Sequence, residues 1–400
     1  MEWKEVDICQ LCDSVSETYK GNASEVVLIN TSDVLDGKCL NHEYVPNKKL
    51  KGQFKKTFRK GDILYSEIRP ANKRFCFVDF EPKDYIASTK LMVLRAHEDV
   101  DPQYLYQILR SNDTLAQLQM LAESRSGTFP QITYSELSNI MVSLPSQKAQ
   151  KNIVSILSSL DRKIELNNKI NADLEEMAQA IFKNWFVDFE PFKDGKFVDS
   201  ELGMIPEGWK VGTLGEFCKC LLGGTPSRSK EEYWNGEVNW INSGEINKFR
   251  ILEASEKITE LGLAKSATKL LPKKTTVLAI TGATLGQVSL LEIDTCANQS
   301  VIGVIENTEV PYEYIYPFIK DRIEMLIHHQ TGGAQQHINK DNVESLIFLL
   351  PAKNVLEGYI SLVRPMYKRI ESQCFENLYL SLLRDTLLPR LMSGELEVPE

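Results

Sequence analysis

The sequence predicts an α/β (α+β) protein with two similar mixed α/β domains and two long antiparallel coiled-coil helices. The first observation behind this prediction is an internal repeat, in which a shift of 206 residues matches Trp3 with Trp209 and Pro145 with Pro351. The second is that each repeat ends in about 40 residues with few helix breakers, where apolar residues recur in steps of four and three. We therefore expect a pseudo-twofold internal repeat of structure.

The repeat divides the chain into four segments. Residues 1–145 and 205–351 contain short alternating apolar stretches, such as DILYSEI and TTVLAIT, broken by Gly, Pro and Asn turns. This pattern predicts several strands in each domain. Residues 146–204 contain the first long helix and a linker, and residues 352–400 contain the second long helix. Loop lengths differ between the repeats, and KGDILYSEIRP aligns with KTTVLAITGAT at a shift of 214.

Both predicted helices carry an apolar seam that becomes polar at two central steps. Amides occupy these steps: Asn167 and Asn171 in the first helix, Gln373 and Asn377 in the second. Buried amides reduce stability but fix register and partner, because an amide facing a leucine loses its hydrogen bonds. If the helices run antiparallel, these amides meet. Alternatively each helix packs on its own domain as an ordinary amphipathic helix, although about 40 residues span about 60 Å, more than such a domain.

Composition places the chain among ordinary soluble proteins. It has 42% apolar residues, 25% charged residues and a net charge of -9, which argues against indiscriminate coating of DNA or RNA. The opening MEWKEVDICQ lacks a secretory pattern and no apolar run could cross a bilayer, so we expect a cytoplasmic protein without a membrane partner. The eight cysteines are scattered, and the Cys9–Cys12 pair lacks a second ligand pair, so no metal site is expected.

The usual catalytic motifs are missing from the sequence. There is no GxxxxGK[ST] phosphate loop, no GxGxxG after a strand, no HExxH, no GxSxG and no NPPY-like tetrapeptide of an adenine methyltransferase. We therefore expect no catalysis by this chain alone. Positive charge is concentrated between Pro46 and Gly61, where Lys55, Lys56 and Lys60 would either hold nucleic-acid phosphates or form a solvated basic loop.

A series of motifs extends along nearly the whole chain. They are LPSQKAQKNIVSILSSLDRKIELNN, IFKNWFVDFEPF followed by GMIPEGW, GWKVGTLGEF, LLGGTPSRSKEEYWNGEVNWINSGEI, TGATLGQV, ANQSVIGV, TGGAQQHI and LLPRLMSGEL. Together with the duplicated layout, they resemble the DNA specificity subunits of type I restriction-modification systems. The first domain resembles this family less closely, with SEIRPANKR in place of TGATLG and STK in place of NQS.

The resemblance implies two target-recognition domains that each read one half of a bipartite, asymmetric site on double-stranded DNA. The long helices would act as a ruler for the gap between the halves. Adenine methyltransferase (modification) subunits would bring S-adenosylmethionine, and a restriction or translocase subunit would bring ATP and Mg²⁺. Cofactors are therefore expected on the partner subunits and none on this chain, which would supply specificity.

Base edges in the major groove are read by side chains that fork or that both donate and accept hydrogen bonds. In the second domain such side chains lie on glycine-flanked loops, where the backbone can approach DNA. The candidates there are Gly224, Thr225, Ser227, Arg228, Thr281, Thr284, Asn298, Gln299, Thr331, Gln335, Gln336 and His337. The candidates in the first domain are Ser66, Arg69, Asn72, Lys73, Arg74, Ser88, Lys90, Arg125, Ser126, Thr128 and Gln131, with Lys55, Lys56 and Lys60 on phosphates.

Some of these residues also have a structural interpretation. Asn298 and Gln299 could cap a strand end, and Thr281 could belong to a turn. Neighbouring aromatic residues are expected to pack inside the protein, because readers of duplex DNA rarely need base stacking. These aromatic residues are Tyr233, Trp234 and Trp240, and the pairs that recur in both repeats, Tyr104 with Tyr106 and Tyr314 with Tyr316.

Two other functions remain open at the level of the sequence. The chain could be a DNA methyltransferase or nuclease with an unrecognised site, in which case it would bind S-adenosylmethionine or modify DNA by itself. It could also be a coiled-coil scaffold protein that only assembles other proteins. The loops of such a scaffold would have no affinity for DNA.

Overall fold

The computed structural model describes residues 3–47, 52–124, 130–328, 338–396 and 398. The chain forms two compact units: the first combines Met1–Ile164 with Tyr379–Glu400, and the second is Glu165–Leu378. Both units are mixed α/β, which confirms the predicted fold class.

The first unit contains the strands and short helices of the first repeat. Its strands are β1 (Lys4–Asp7), β2 (Cys12–Val15), β3 (Glu25–Ile29), β4 (Val34–Leu35), β5 (Lys38–Cys39), β6 (Val45–Pro46), β7 (Phe54–Lys56), β8 (Ile63–Ser66), β9 (Phe75–Phe77), β10 (Tyr85–Ser88), β11 (Leu91–Ala96) and β12 (Met141–Leu144). Its helices are α1 (Pro102–Arg110), α2 (Asn112–Glu123), α3 (Tyr134–Ser138) and the first part of α4 (Gln147–Phe186).

The second unit contains the corresponding elements of the second repeat. Its strands are β13 (Phe197–Ser200), β14 (Gly203–Pro206), β15 (Lys210–Thr213), β16 (Lys219–Leu222), β17 (Trp234–Ile241), β18 (Glu256–Ile258), β19 (Leu270–Leu271), β20 (Thr276–Ala279), β21 (Val288–Leu290), β22 (Thr295–Ala297), β23 (Val301–Ile305) and β24 (Ile347–Leu350). Its helices are the end of α4, then α5 (Leu214–Phe217), α6 (Glu260–Ala264), α7 (Tyr312–His328), α8 (Lys340–Glu344) and the first part of α9 (Lys353–Met392).

The two four-stranded sheets and one two-stranded pair have the same topology in both units. In the first unit the two four-stranded sheets have the orders β2-β11-β8-β9 and β6-β3-β10-β7, while β1 pairs with β12. In the second unit the corresponding orders are β16-β23-β20-β21 and β18-β17-β22-β19, while β15 pairs with β24. The parallel pairs also correspond, since β3 runs parallel to β10 and β17 to β22. The internal repeat is therefore a repeat of fold, as predicted.

Strand register fixes which residues correspond in the two units. Lys4 pairs with Leu144 at the start of one repeat, and Lys210 pairs with Leu350 at the start of the other. These pairs reproduce the shift of 206 found in the sequence. The long helices α4 and α9 begin at the same shift.

The register of β8 and β20 corrects one part of the sequence alignment. Ser66 pairs with Leu91, the first residue of β11, and Ala279 pairs with Val301, the first residue of β23. Ser66 therefore corresponds to Ala279, a shift of 213. The alignment at 214 was wrong by one residue, because apolar residues of the two strands also match in that register and only the ladder of hydrogen bonds identifies the correct one.

Two corresponding tyrosines each bind the last strand of their own domain. Tyr104 and Tyr314 are 0% and 1% exposed. Their hydroxyls donate to the backbone carbonyls of Ser143 (3.0 Å) and Leu349, which lie on the last strand of each domain. Burial raises the pKa of both phenols, so they stay neutral donors. Both tyrosines are thus framework residues, as their recurrence predicts.

The two long helices run antiparallel within each unit. In the first unit Leu157 of α4 belongs to the same buried cluster as Leu388 and Leu391 of α9, and Arg384 donates to Asp161 (2.7 Å). Later residues of α4 therefore lie beside earlier residues of α9. In the second unit the ring of Phe182 lies 6.4 Å from that of Tyr359, near the end of one helix and the start of the other. This confirms the antiparallel coiled-coil prediction.

The central amides of the seam lie together inside the second unit. Asn167 donates to Asn377 (2.8 Å) and accepts from Gln373 (3.0 Å), and Asn171 donates to the sulfur of Cys374 (3.6 Å). Asn167, Asn171 and Gln373 are at most 2% exposed. The geometry places the amides where they can hold one register, and that role stays a prediction.

Candidate nucleic-acid interface

Those candidate residues of the second domain that the structure describes lie on loops that leave one edge of an antiparallel sheet. β16 ends at Leu222, which pairs with Ile302, and β20 ends at Ala279, which pairs with Val301. Because β23 runs antiparallel to both strands, the loops after β16 and β20 and the loop before β23 leave the same edge. We call this set, residues 223–230, 280–287 and 298–300, the second loop edge.

Hydrogen bonds connect the first and last of these loops. Thr225 donates to the side-chain oxygen of Gln299 (2.5 Å), and the Gly224 amide donates to the Ala297 carbonyl (2.8 Å). Both Thr225 and Gln299 are exposed, whereas Gly224 is buried beneath the indole of Trp240, which donates to its carbonyl (3.1 Å). The geometry thus presents Thr225 and Gln299 to solvent and gives Gly224 a packing role.

The loop after β20 lies against the other two. The Ile280 amide donates to the Ser300 carbonyl (3.0 Å), and the Ser300 amide donates to Asn298 Oδ1 (3.0 Å). Asn298 therefore caps the turn before β23 with its side chain, as its structural interpretation suggests. Thr281 and Thr284 are half-buried on the separate turn after β20.

Arg228 is engaged within the second domain. Its guanidinium forms two hydrogen bonds with Glu256 and lies 3.7 Å from the ring centre of Trp234. The hydrogen bond and charge of Glu256 raise the pKa of Arg228, and Arg228 lowers that of Glu256. Trp234 in turn donates to the Ser227 carbonyl (3.1 Å). Reading a base would require Arg228 to exchange its contact with Glu256 for one with DNA.

The first domain repeats this edge. β2 ends at Val15, which pairs with Val93, and β8 ends at Ser66, which pairs with Leu91. The first loop edge accordingly consists of residues 16–24, 67–74 and 89–90. The Glu67 amide donates to the Lys90 carbonyl (3.1 Å), which matches the bond from Ile280 to Ser300 in the second domain.

Lys90 and Gln131 meet at the first loop edge. The Lys90 ammonium donates to Gln131 Oε1 (3.3 Å) and lies 3.5 Å from the Glu67 carboxylate. Lys90 is 52% exposed, so this ion pair is weak and its lysine can turn to a phosphate. Sequence reasoning missed Glu67, because an acid is not typical of a DNA-binding loop.

Ser66 and Ser88 are buried beneath the first loop edge. Their exposed fractions are 3% and 2%. The Ser66 hydroxyl accepts from the Ile68 amide (3.1 Å), and the Ser88 hydroxyl accepts from the Lys90 amide (3.3 Å). These positions favour a role in holding the loops, and DNA contact by either serine stays a prediction.

Lys56 and Arg74 also donate to the backbone of their own domain. Lys56 donates to the carbonyls of Thr89 (3.2 Å) and Leu91 (2.8 Å), and its burial lowers the pKa of the ammonium. Arg74 donates to the Ser32 carbonyl (3.0 Å). Five other candidates of this domain have exposed side chains: Lys55, Lys60, Arg69, Asn72 and Lys73.

Seven candidates cannot be placed. They lie outside the described residues and are Arg125, Ser126, Thr128, Thr331, Gln335, Gln336 and His337. Two described residues that follow these candidates in the sequence lie at the loop edges. The Ile132 amide donates to the Glu67 carbonyl (2.8 Å), and the Ile338 amide donates to the Ile280 carbonyl (3.0 Å).

The aromatic residues Tyr233, Trp234 and Trp240, which follow the first loop of the second loop edge, pack within the domain. Trp240 and Tyr233 are 2% and 6% exposed, and the Trp234 ring lies edge-on to Trp240 at 5.2 Å. This agrees with the expectation that they do not stack on bases. Within the described ranges, no cluster of three His, Cys, Asp or Glu could hold a metal ion, and no helix is long and apolar enough to cross a membrane.

Known proteins are similar to this chain in sequence. The sequence model of the type I restriction modification DNA specificity domain matches residues 2–176 and again residues 206–355. The type I restriction enzyme HindI specificity subunit of Haemophilus influenzae is 32% identical, over 99% of this chain and 100% of its own length. The MjaIX specificity subunit of Methanocaldococcus jannaschii is 27% identical, over 90% of this chain and 85% of its own length.

One solved structure is similar in fold. It is the S subunit of a type I restriction-modification system from M. genitalium, with a TM-score of 0.56 and 15% sequence identity. The similarity covers 100% of this chain and 97% of that protein. At this level of identity it supports the architecture alone.

Proposed function

The chain belongs to the type I restriction-modification DNA specificity family, and on that premise we propose that it is the DNA-reading subunit of such a system. Each target-recognition domain reads one half of a bipartite, asymmetric site through its loop edge. The observation that carries this proposal is the occurrence of the same loop edge twice, on sheets of the same topology. Two similar edges with different side chains would read two different half-sites.

The partners of this subunit carry out the chemistry. Adenine methyltransferase subunits bind S-adenosylmethionine, and a restriction or translocase subunit binds ATP and Mg²⁺, while this chain is non-catalytic. The complex works in the cytoplasm, where its DNA lies. Apolar side chains on the long helices support docking of partners: Leu166, Met177, Tyr379 and Leu382 are each more than half exposed.

Electrostatics favours shared binding of DNA. The net charge of -9 opposes association with a polyanion, because most of the affinity of DNA-binding proteins comes from neutralised phosphates. The chain alone therefore binds DNA weakly, and the partner subunits add positive surface. Base discrimination still comes from the loop edges, since phosphate contacts carry no sequence information.

The test is selection of double-stranded DNA from a random library by this chain assembled with an adenine methyltransferase subunit. We expect two short motifs separated by a fixed gap, with each mismatch reducing affinity by about 1–3 kcal/mol. The variant Thr225→Val with Gln299→Ala should relax one half of the motif and leave the other unchanged. Lys196→Ala, an exposed lysine on neither loop edge, is the matched control and should change neither half. Selection of no sequence would favour the scaffold function.

A further inference from the structure

One turn of the loop edge has a left-handed backbone at the same two positions in both domains but different residues there. Under the shift of 213 given by strand register, Arg69 corresponds to Gly282 and Lys73 to Gly286. All four residues have a left-handed backbone conformation. The φ angles are 45° for Arg69, 52° for Lys73, and 75° and 83° for the two glycines. The second domain thus has glycine at both left-handed positions, and the first domain has a basic residue at both.

Hydrogen bonds confirm that these turns correspond. The Asn72 amide donates to the Arg69 carbonyl (2.8 Å), as the Leu285 amide does to the Gly282 carbonyl (3.1 Å). Each turn is also closed across its strand ends. The Ser66 amide donates to the Arg74 carbonyl (2.8 Å), and at the corresponding positions the amide of residue 279 donates to the carbonyl of residue 287 (2.9 Å).

Arg69 and Lys73 are unfavourable residues for this backbone. The left-handed conformation is energetically unfavourable for a residue with a Cβ atom, whereas glycine adopts it readily. Neither residue belongs to the types that tolerate this region best, which are Gly, Asn and Asp. Strained residues of this kind persist where the surroundings hold them, and they concentrate at functional sites.

The surroundings of the first turn hold it firmly. The Arg69 amide donates to the Pro130 carbonyl (3.1 Å), and the Ala71 amide donates to Gln119 Oε1 of α2 (3.1 Å). Gln119 has no sequence signal for this role, because it lies in an ordinary helical pattern. The turn is therefore fixed at its base and middle, while Arg69 and Lys73 are exposed.

We propose that this turn is the DNA-reading tip of the first domain, in which Arg69 contacts a base edge and Lys73 a phosphate. The proposal rests on the DNA-reading function and names the residues that determine specificity in one domain. The guanidinium fork suits paired acceptors such as O6 and N7 of guanine, whereas an ammonium acts as a point charge on phosphate. In the second domain the corresponding turn approaches DNA through its glycine backbone.

The test compares Arg69→Gly, Arg69→Ala and Lys73→Gly in the complex with the methyltransferase subunit. The glycine variants relieve the strain, whereas alanine keeps it, so Arg69→Gly should unfold at a higher temperature than Arg69→Ala. Arg69→Gly should nevertheless bind the selected site about tenfold or more weakly and lose discrimination at one base pair of the first half-site. Lys73→Gly should weaken binding to all sequences alike and reduce its dependence on salt.

The reciprocal variant uses the second domain. A Cβ atom added at Gly282 has no neighbour within 4 Å, whereas one added at Gly286 would clash with Ile327 Cδ1. Gly282→Arg is therefore the substitution that the fold can accept, with some loss of stability from its φ. A folded Gly282→Arg complex should select an altered second half-site and an unchanged first one.

Two outcomes would overturn the proposal while leaving the DNA-reading function intact. One is a native complex that selects a bipartite site and an Arg69→Gly complex that selects the same site with equal affinity. The other is a folded Gly282→Arg complex with an unchanged second half-site. A native complex that selects no sequence would instead overturn the proposed function itself.

Discussion

Replacing Glu175 with alanine is expected to lower the free energy of unfolding of the second unit by about 3–5 kcal/mol. Glu175 of α4 accepts from Arg250 (2.6 Å) and Lys320 (3.0 Å). The Arg250 side chain is 1% exposed and also donates to the Tyr316 hydroxyl (3.1 Å). Without Glu175, this guanidinium would be buried without a counter-ion, which is among the largest penalties that a single substitution can cause.

Tryptophan fluorescence during urea unfolding measures this effect in the right unit. Of the five tryptophans, Trp185, Trp209, Trp234 and Trp240 lie in the second unit. The matched control is Glu176→Ala, which removes an exposed carboxylate from the next position and should change stability by less than about 0.5 kcal/mol. A loss below about 1 kcal/mol for Glu175→Ala would show that the ion cluster does not hold the domain on its helix.

The same cluster predicts a pH dependence. Burial raises the pKa of Glu175, but the charges of Arg250 and Lys320 and the hydrogen bonds from Tyr316 and Arg250 outweigh burial and lower it below 4.5. A lowered pKa means that the folded state favours the carboxylate, so this stabilisation is present above pH 4.5. It should be lost as the pH falls through the lower pKa of the folded state. Glu175→Gln should remove this part of the acid dependence.

Replacing Asn167 with leucine is expected to lower the free energy of unfolding by about 3 kcal/mol, because it leaves several buried polar groups without partners. The Asn167 amide donates to Asn377 and to Glu376 (2.8 Å each), and its oxygen accepts from Gln373 (3.0 Å). Gln373 is 1% exposed and would lose the acceptor for its amide nitrogen. Urea unfolding of the purified chain measures the loss.

A second substitution distinguishes a hydrogen-bond cost from a packing cost. The double variant Asn167→Leu with Gln373→Leu removes both partners of one hydrogen bond. Most of the stability should therefore return, since two facing apolar groups leave fewer buried polar groups without a partner. Lys169→Ala, on the exposed side of the same helix, should be neutral within about 0.5 kcal/mol. Equal destabilisation by the single and double variants would contradict the role assigned to the amides.

The repeat and the long helices could be predicted from the sequence because both are written in local patterns. Matching tryptophans and prolines define the shift of 206, and steps of four and three define the helices. The loops that carry Thr225 and Gln299 could also be predicted, since both residues lie in short polar motifs between apolar strands. The structure brings these two residues within a hydrogen bond of each other.

What could not be predicted depends on contacts between distant segments. The pairing of Arg228 with Glu256, the donation of Lys56 to two carbonyls and the burial of Ser66 follow from the tertiary fold. The correspondence of Arg69 with Gly282 was hidden by a one-residue error in alignment, which the sheet register corrects. A change of one residue in register alters which side chains occupy the turn, and an apolar pattern alone does not reveal it.

The central claim is that this chain determines which DNA sequence its partners modify. The most direct measurement is to express it with an adenine methyltransferase subunit in cells that lack adenine methylation, and to map modified adenines across the genome. We predict one two-part asymmetric motif with a fixed gap, which disappears when this chain is omitted. Methylation at the same sites without this chain, or methylation without any motif in its presence, would contradict the claim.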